Sequence, residues 1–445
     1  MKVGRKTTSI LVVALLAALA GAIAAAPASA DRIRPPGKKA KKIKSQLQNR
    51  LEDRGLENVD IRRCLIAKGK IRGKKAVNCT WYAEGILPGP QPYRCHGDSL
   101  HGKRSDGRPG FIRISACVNK ARTQIPISDF PVHEPQFGYN DDWYTQTSLS
   151  LLDLYDRLQP EFARFGLDWS AVERNRGSYD WAIYDRIYDQ LVARGIRPIW
   201  TIGAAPCFYQ DSTCKRPGRP SSDHYDEMAR FAAAAARRYP EIGAFEVLNE
   251  PNTGKYWGGI PEPDLYAELF IEVEKAVQDA DPGLPVLFGS LSPHAEADEN
   301  TVPAAEFLAQ GYDKGAVQRS DGIATHPYPG TGPGENHAEG MAKRLGDIWE
   351  VMLLERDQER PLWITETGVS THGSRAFSLE EQAAALVQIY DTVRRIPQVK
   401  VLILHRFRDT QGDNEFEPGY GSVDMDGSPK PAYCAIGATR GLTAC

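Results

Sequence analysis

RFGLDWSAVERNRGSYDWAIYDRIYDQLVARGIRPIW, residues 164–200, contains one complete structural unit. An apolar run ends near Leu167 and a polar, glycine-containing loop follows. Tyr179 to Arg194 then carries apolar residues at Ile183, Ile187 and Leu191, the spacing of one helix face. The next apolar run ends near Ile202. The same succession of strand, loop and helix recurs from Phe137 to the end of the chain. Runs end near Tyr139, Leu167, Ile202, Leu248, Ser290, Thr325, Thr365 and Leu404, in steps of roughly forty residues after the first, as βα units with loop insertions require. Asp223 to Tyr239 and Leu379 to Ile396 show helical periodicity like that of Tyr179 to Arg194. Val401-Leu402-Ile403-Leu404 is apolar without alternation, as a parallel strand buried on both faces should be. Eight such units close more readily into a barrel than into an open sheet, so the expected fold class is α/β, a (β/α)8 TIM barrel over residues 126 to 445.

The chain ahead of the barrel has a different composition. Residues 1 to 30 place Lys2, Arg5 and Lys6 before an apolar run from Ile10 to Ala26 and end in Ala28-Ser29-Ala30, the pattern of a cleaved signal peptide. The alternative is an uncleaved anchor, for which the Ala-rich run is at the short limit. Secretion, with cell-wall association as a variant, is the expectation, and no later stretch reads as a membrane span. Residues 31 to 45 form a Lys-rich solvated tether, and residues 46 to 125 a small basic α+β module stapled by disulfides. Its helix is expected over Leu47 to Leu56, and its strands over Val59 to Ile66, Ala76 to Tyr82 and Gly110 to Val118. Residues 31 to 125 carry 23 Lys+Arg against 8 Asp+Glu, net +15, while residues 126 to 445 carry 29 against 49, net -20. That asymmetry suggests a module that meets an anionic polymer, in a cell wall or extracellular matrix, or else docks on the acidic barrel. No nucleic-acid partner is expected.

Eight cysteines in an exported chain should pair completely. Local pairing gives Cys207/Cys214, Cys434/Cys445, Cys64/Cys79 and Cys95/Cys117, with other pairings open among the last four. No Cys-x-x-Cys occurs and the nine His show no zinc-like spacing, so no metal or other cofactor is expected.

In a barrel of this kind, residues directly after the strands lie on the catalytic face. The ends select Arg164 and Trp169 around the second strand, and Asn249 and Glu250 after the fourth. They also select His294 after the fifth, His326 and Tyr328 after the sixth, Glu366 after the seventh and Arg406 after the eighth. Glu250 in FEVLNEP and Glu366 in LWITETG end apolar strands, where a charge is costly without a purpose. Glycoside cleavage supplies one, because it needs an acid with a raised pKa and a second carboxylate that attacks the anomeric carbon. Glu250 is expected to be the less solvated, partly protonated group, and Glu366 to be held ionised by Tyr328 and Arg164. Trp169, Trp257 and Tyr256 are candidates to stack on a sugar, although aromatic residues also pack in cores.

At these residues the sequence resembles the clan of retaining glycoside hydrolases whose acid/base and nucleophile follow barrel strands four and seven, especially its cellulase-like and xylosidase-like families. The resemblance spans most of residues 136 to 440 and is strongest in the stretch quoted first. It implies Glu250 in LNEPN as acid/base, Glu366 in TETG as nucleophile, and His326 and Tyr328 in THPYP as the sixth-strand pair. Arg164 is implied on the second strand, and Asn249 as a partner of the sugar 2-hydroxyl. Two departures stand out. His405-Arg406-Phe407-Arg408 replaces the usual aromatic after the eighth strand, and Gly203-Ala204-Ala205-Pro206 lacks the polar residues common after the third. The implied activity is retaining hydrolysis of a β-linked oligo- or polysaccharide. The alternative is a non-catalytic or wall-attached barrel that binds glycans.

Overall fold

The computed structural model describes residues 132–445 except 144, 212–213, 215–216, 294–299, 331, 358 and 412–416, and ahead of them four strands and residues 45 and 48. The chain divides into two compact units, Met1–Pro131 with Leu345–Gln358, and Val132–Arg344 with Glu359–Cys445.

In the first unit, β1 (Glu57–Ala67), β2 (Ala76–Gly85), β3 (Tyr93–His101) and β4 (Ile112–Asn119) form an antiparallel sheet in sequence order. The sequence suggested three strands. The extra one, YRCHGDSLH, carries Gly, Asp, Ser and His where alternating β-branched residues would have marked it, and its neighbours β2 and β4 supply the pairing that its composition does not. The backbone register sets Cys64 opposite Cys79 and Cys95 opposite Cys117. The side chains of those cysteines, the signal segment and most of the helix expected over Leu47 to Leu56 lie outside the described residues.

The second unit is the barrel. Its strands are β5 (Gln136–Asn140), β6 (Phe162–Asp168), β7 (Arg197–Gly203), β8 (Ala244–Val247), β9 (Val286–Leu291), β10 (Gly322–Thr325), β11 (Leu362–Ile364) and β12 (Val399–His405). They pair in parallel and in sequence order, and β12 returns to β5 to close the ring. Helices α1 (Ala182–Val192), α2 (Tyr225–Arg238), α3 (Pro263–Ala280), α4 (Ala304–Asp313), α5 (His337–Leu354, whose residues from Leu345 on fall in the first unit), α6 (Leu379–Val393) and α7 (Pro431–Thr439) follow strands along the chain. In α1 the buried stripe is Tyr184, Ile187 and Leu191, while Ile183, expected on that face, is 46% exposed. The phenol of Tyr184 reaches the β6 end, where it accepts from the Asp168 N–H at 2.8 Å, and this fixes the helix one residue out of the apolar register.

Phe162, Ile199, Ala244, Leu287, Ala324, Trp363, Val401 and Ile403, from seven strands, form one buried cluster in the barrel. Gly138 represents the remaining strand, because a Cβ there would meet the Phe162 carbonyl oxygen at 2.2 Å and Ile403 Cδ1 at 3.0 Å. Cys207–Cys214 and Cys434–Cys445 are disulfide-bonded, with Cα atoms 4.9 and 5.6 Å apart. No helix among the described residues is long and apolar enough to cross a membrane.

Candidate active site

Side chains on a strand share a face every second residue, so each member of the apolar cluster points the way to the group above it. Phe162 leads to Arg164, Ile199 to Thr201, Ala244 to Glu246, Ala324 to His326 and Ile403 to His405. Hydrophobic burial thus ends one step below the C-terminal rim, and an ionic layer begins. Arg164, 2% exposed, is its hub. Its Nε donates to Glu246 Oε2 at 2.8 Å, Nη1 to Glu366 Oε1 at 2.5 Å, and Nη2 to Asn249 Oδ1 at 2.8 Å. Thr201 Oγ1 donates to the same Glu246 oxygen at 2.6 Å. A buried guanidinium is tolerable only with such pairing, and the two carboxylates hold its pKa above the ordinary value against burial, which would lower it.

Glu366, two residues past β11, is surrounded by donors. Oε1 accepts from Arg164 and from Asn140 Nδ2 at 2.9 Å, and Oε2 accepts from the Tyr328 hydroxyl at 3.0 Å. His326 Nδ1 lies 3.6 Å from Oε2. Burial alone would favour the protonated acid. The charges of His326, Arg164 and His405 and the Tyr328 hydrogen bond overcome it, so the pKa of Glu366 lies well below the usual carboxylate range. The reciprocal effect pushes the Tyr328 phenol far up, through burial first and the Glu366 charge second.

Glu250 has fewer partners. Its Oε1 lies 3.0 Å from His326 Nδ1, and its backbone N–H donates to Ser290 Oγ at 3.3 Å. Its side chain is 17% exposed against 12% for Glu366, so Glu250 is the more solvated of the two, contrary to the sequence expectation. The reason is the packing: Asn140, Arg164 and Tyr328 all bond Glu366, whereas Glu250 has His326 at hydrogen-bond distance and otherwise acts at longer range, its charge adding to burial in raising the Tyr256 phenol. Backbone strain accompanies the position. Leu248, Glu250 and Ser290 have φ of 61°, 41° and 58°, and non-glycine residues held in that region cost on the order of 1–3 kcal/mol each. One ligating atom each from Glu250, His326 and Glu366 falls within a mutual 4.8 Å, which places a Glu250 carboxylate oxygen within 4.8 Å of one of Glu366. This is the closest approach to a metal-binding group among the described residues. The Glu366 oxygen beside His326 is Oε2, which accepts from the Tyr328 hydroxyl, while Arg164 holds Oε1.

The other expected residues divide. His326, wholly buried, and Tyr328 join the carboxylates, and Asn249 has its carbonyl on Arg164, which leaves its amide nitrogen as a donor. Trp169 does not face the site. It is 0% exposed, stacks between Tyr209 and Phe231, and donates from Nε1 to Glu173 at 2.6 Å. Trp257 is 1% exposed with Arg219 over its ring at 4.6 Å, and the Tyr256 ring carries the Lys255 ammonium at 4.6 Å. Arg406 turns to Asp141 and Asp142, at 2.9 and 2.6 Å, and so anchors the segment after β5. His294 lies outside the described residues.

Sequence reasoning missed Asn140, Thr201, Glu246, His405 and Glu417. The first four had a signal, since each is a polar residue in register with the inward face of its strand. Glu417 had none. It lies in a short turn, Glu417–Gly419, where it accepts from His405 Nε2 at 2.9 Å. Burial would raise its pKa, but the His405 hydrogen bond and charge, with Arg406, hold it below the ordinary value. His405, standing where an aromatic was usual, packs edge-on against Tyr328 and Tyr420 at 6.3 and 5.2 Å.

No family model matches the chain, and no curated protein matches it. Solved structures do. A family 39 glycoside hydrolase from the gut symbiont Bacteroides cellulosilyticus aligns over 86% of this chain and 79% of its own, with 20% identity and a TM-score of 0.53. A monomeric β-xylosidase from Caulobacter crescentus aligns over 68% of each chain, with 22% identity and a TM-score of 0.53. An exo-β-1,4-mannosidase from an Opitutaceae bacterium aligns over 72% of this chain and 63% of its own, with 17% identity and a TM-score of 0.51. The architecture of this chain is therefore the eight-stranded α/β barrel that these glycoside hydrolases share.

Proposed function

We propose that this chain is a secreted retaining glycoside hydrolase that cleaves β-linked glycans by double displacement, with Glu250 as acid/base and Glu366 as nucleophile. The observation that carries the reading is that one carboxylate oxygen of Glu250 and one of Glu366 lie within 4.8 Å of each other. Retaining enzymes keep the pair about 5 to 5.5 Å apart, whereas inverting enzymes need roughly 6.5 to 9.5 Å to admit a water. The β-linkage is supported by the β-xylosidase and β-mannosidase among the structural neighbours.

The chemistry follows from the surroundings of each group. A Glu366 oxygen attacks the anomeric carbon as the bond to the leaving oxygen breaks, and Glu250 gives that oxygen its proton. The product is a glycosyl ester on Glu366. Glu250, now ionised, takes a proton from water as the water oxygen displaces the ester, which frees Glu366 and returns the proton to Glu250. Arg164, Asn140 and Tyr328 suit Glu366 to the anionic role, because their bonds stabilise the carboxylate both before attack and as it departs. His326 bridges the two sites and holds the Glu250 carboxyl in place.

A panel of 4-nitrophenyl β-glycosides and polysaccharides tests the reading, with Glu366→Gln as the blank. Turnover by wild type and none by the blank is expected. Equal signal from both, or none from wild type on any substrate, contradicts it. The net +15 of residues 31 to 125 supports a second role for the chain, attachment to an anionic wall polymer. Binding to acidic polysaccharide should then weaken steeply with salt, and salt-independent binding contradicts it.

A further inference from the structure

Three donors place the carboxylate of Glu366, whereas among the described residues the Glu250 carboxylate has His326 at hydrogen-bond distance. The acid/base therefore depends more on the backbone that carries it. The pairing of β8 with β9 runs through Phe245–Val286 and Glu246–Leu287 and ends there, short of Glu250. Past that point buried side chains close the seam. The Tyr266 hydroxyl donates to the Val247 carbonyl and accepts from the Gly289 N–H, both at 3.1 Å. Asn252 accepts from the Ser292 N–H at 2.9 Å and donates to the Ser292 carbonyl at 3.1 Å. Between these two, the Ser290 hydroxyl donates to the Leu248 carbonyl at 2.9 Å and accepts from the Glu250 N–H at 3.3 Å.

A regular strand would not put Ser290 there. Leu287 belongs to the apolar cluster of the barrel, so in plain alternation Gly289 and Leu291 would share its face and Ser290 would turn toward the helices. The register departs from alternation at this point. Ala324 of β10 pairs with Gly289, and the next residue, Thr325, pairs with Leu291, which leaves Ser290 as the extra residue of a bulge. A bulge bends its strand and re-aims a side chain. Here the re-aimed group is a wholly buried hydroxyl, and it meets the turn in which Leu248 and Glu250 hold positive φ. Ser290 thus fixes the N–H of Glu250, while Thr253 fixes its carbonyl through N–H and Oγ1 at 2.9 and 3.0 Å. With both backbone groups held, the direction of the Glu250 Cα–Cβ bond is set, and so is the arc its carboxyl can sweep.

We propose that Ser290 is a positioning residue for the acid/base: the bulge in β9 sets its hydroxyl against the Glu250 backbone and so keeps the Glu250 carboxyl in line with the leaving oxygen. The proposal rests on the hydrolase reading and adds a residue to that site. Misplacing a reacting group by about 1 Å can cost about 10²-fold in rate, so loss of the hydroxyl should show in the step that needs the Glu250 proton.

The test is a series of aryl β-glycosides of one sugar, with 2,4-dinitrophenyl, 4-nitrophenyl and phenyl leaving groups, which need protonation increasingly in that order. kcat/KM covers the steps through departure of the leaving group and therefore isolates the acid role. Ser290→Ala should lower kcat/KM about tenfold on the phenyl glycoside and less than about twofold on the 2,4-dinitrophenyl glycoside. Ser290→Gly removes the same hydroxyl, adds no atom and accepts the φ of 58° without strain, so it should repeat the pattern even where Ser290→Ala is unstable. A purely structural role would lower every substrate together, in step with the folded fraction. Equal losses across the series, or an unchanged rate on the phenyl glycoside in the glycine variant, would overturn the positioning role. A wild type that cleaves no aryl glycoside, or a Glu250→Ala variant without the same leaving-group preference, strikes the hydrolase reading itself, and the role of Ser290 falls with it.

Discussion

The ends of β8 and β11 each present a glutamate to the same space, and their surroundings differ. At β11 Glu366 takes bonds from Arg164, Asn140 and Tyr328 and lies near His326. At β8, among the described residues, the Glu250 carboxylate has His326 at hydrogen-bond distance. Glu366 is also the more covered, at 12% against 17%, so burial by itself would make it the group that keeps its proton. Its pKa is instead well below the ordinary range. In this site the count of charges and donors around a carboxylate outweighs its exposure, and the proposed roles rest on that count.

The sharpest way to break the comparison is to remove each carboxylate in turn. Glu366→Ala should lose on the order of 10⁴-fold or more in kcat on every substrate. Glu250→Ala should lose about 10² to 10⁴-fold where the leaving group needs a proton, and far less with an activated aryl glycoside. Added azide should then restore turnover in Glu250→Ala by releasing a β-glycosyl azide from a β-linked substrate, whereas any azide product of Glu366→Ala should be the inverted α-glycosyl azide. A β-glycosyl azide from Glu366→Ala, an α-glycosyl azide from Glu250→Ala, or ordinary rates in both variants would reverse or void the assignment.

A second cut goes beneath the pair. Glu246→Gln leaves Arg164 buried with one carboxylate fewer, and breaking a buried pair from one side costs about 3–5 kcal/mol of stability. Because Arg164 positions Glu366, kcat should fall by roughly 10²-fold at most with KM little changed. A variant with wild-type kcat at its reduced Tm would show that Glu246 serves the fold only.

The smallest effect is the most specific to the comparison. A carboxylate with a lowered pKa is ionised above the ordinary value of 4.5 and stays so below it, losing its charge only as the pH falls through the lowered pKa. The acid limb of wild-type kcat/KM should therefore extend below pH 4.5. Tyr328→Phe removes one hydrogen bond to the anion and should move that limb up by about one pH unit. An unmoved limb would mean that another group sets it.

The barrel was legible because burial on both faces makes its strands continuous apolar runs, and each of the eight ends within a residue or two of its expected place. Val401 to Leu404 is the plainest case. The carboxylates were legible for the complementary reason, as charges ending such runs. Trp169 was misplaced because its ring partners, Tyr209 and Phe231, are distant in sequence, and no local pattern distinguishes a tryptophan that stacks on a sugar from one that stacks on them. Glu246 was within reach, since it lies two residues beyond the inward Ala244 in the same run. Glu417 was not, because its place beside His405 depends on the path of a long loop rather than on any periodicity.

A Glu250 oxygen within 4.8 Å of a Glu366 oxygen fits the close carboxylate pair of a retaining site, which leaves no room for a water between the nucleophile and the sugar. Proton NMR of the first product released by wild type, recorded before mutarotation, reads it directly. A β-anomer from a β-linked substrate is the predicted result, and an α-anomer would contradict the covalent intermediate and with it the role of Glu366.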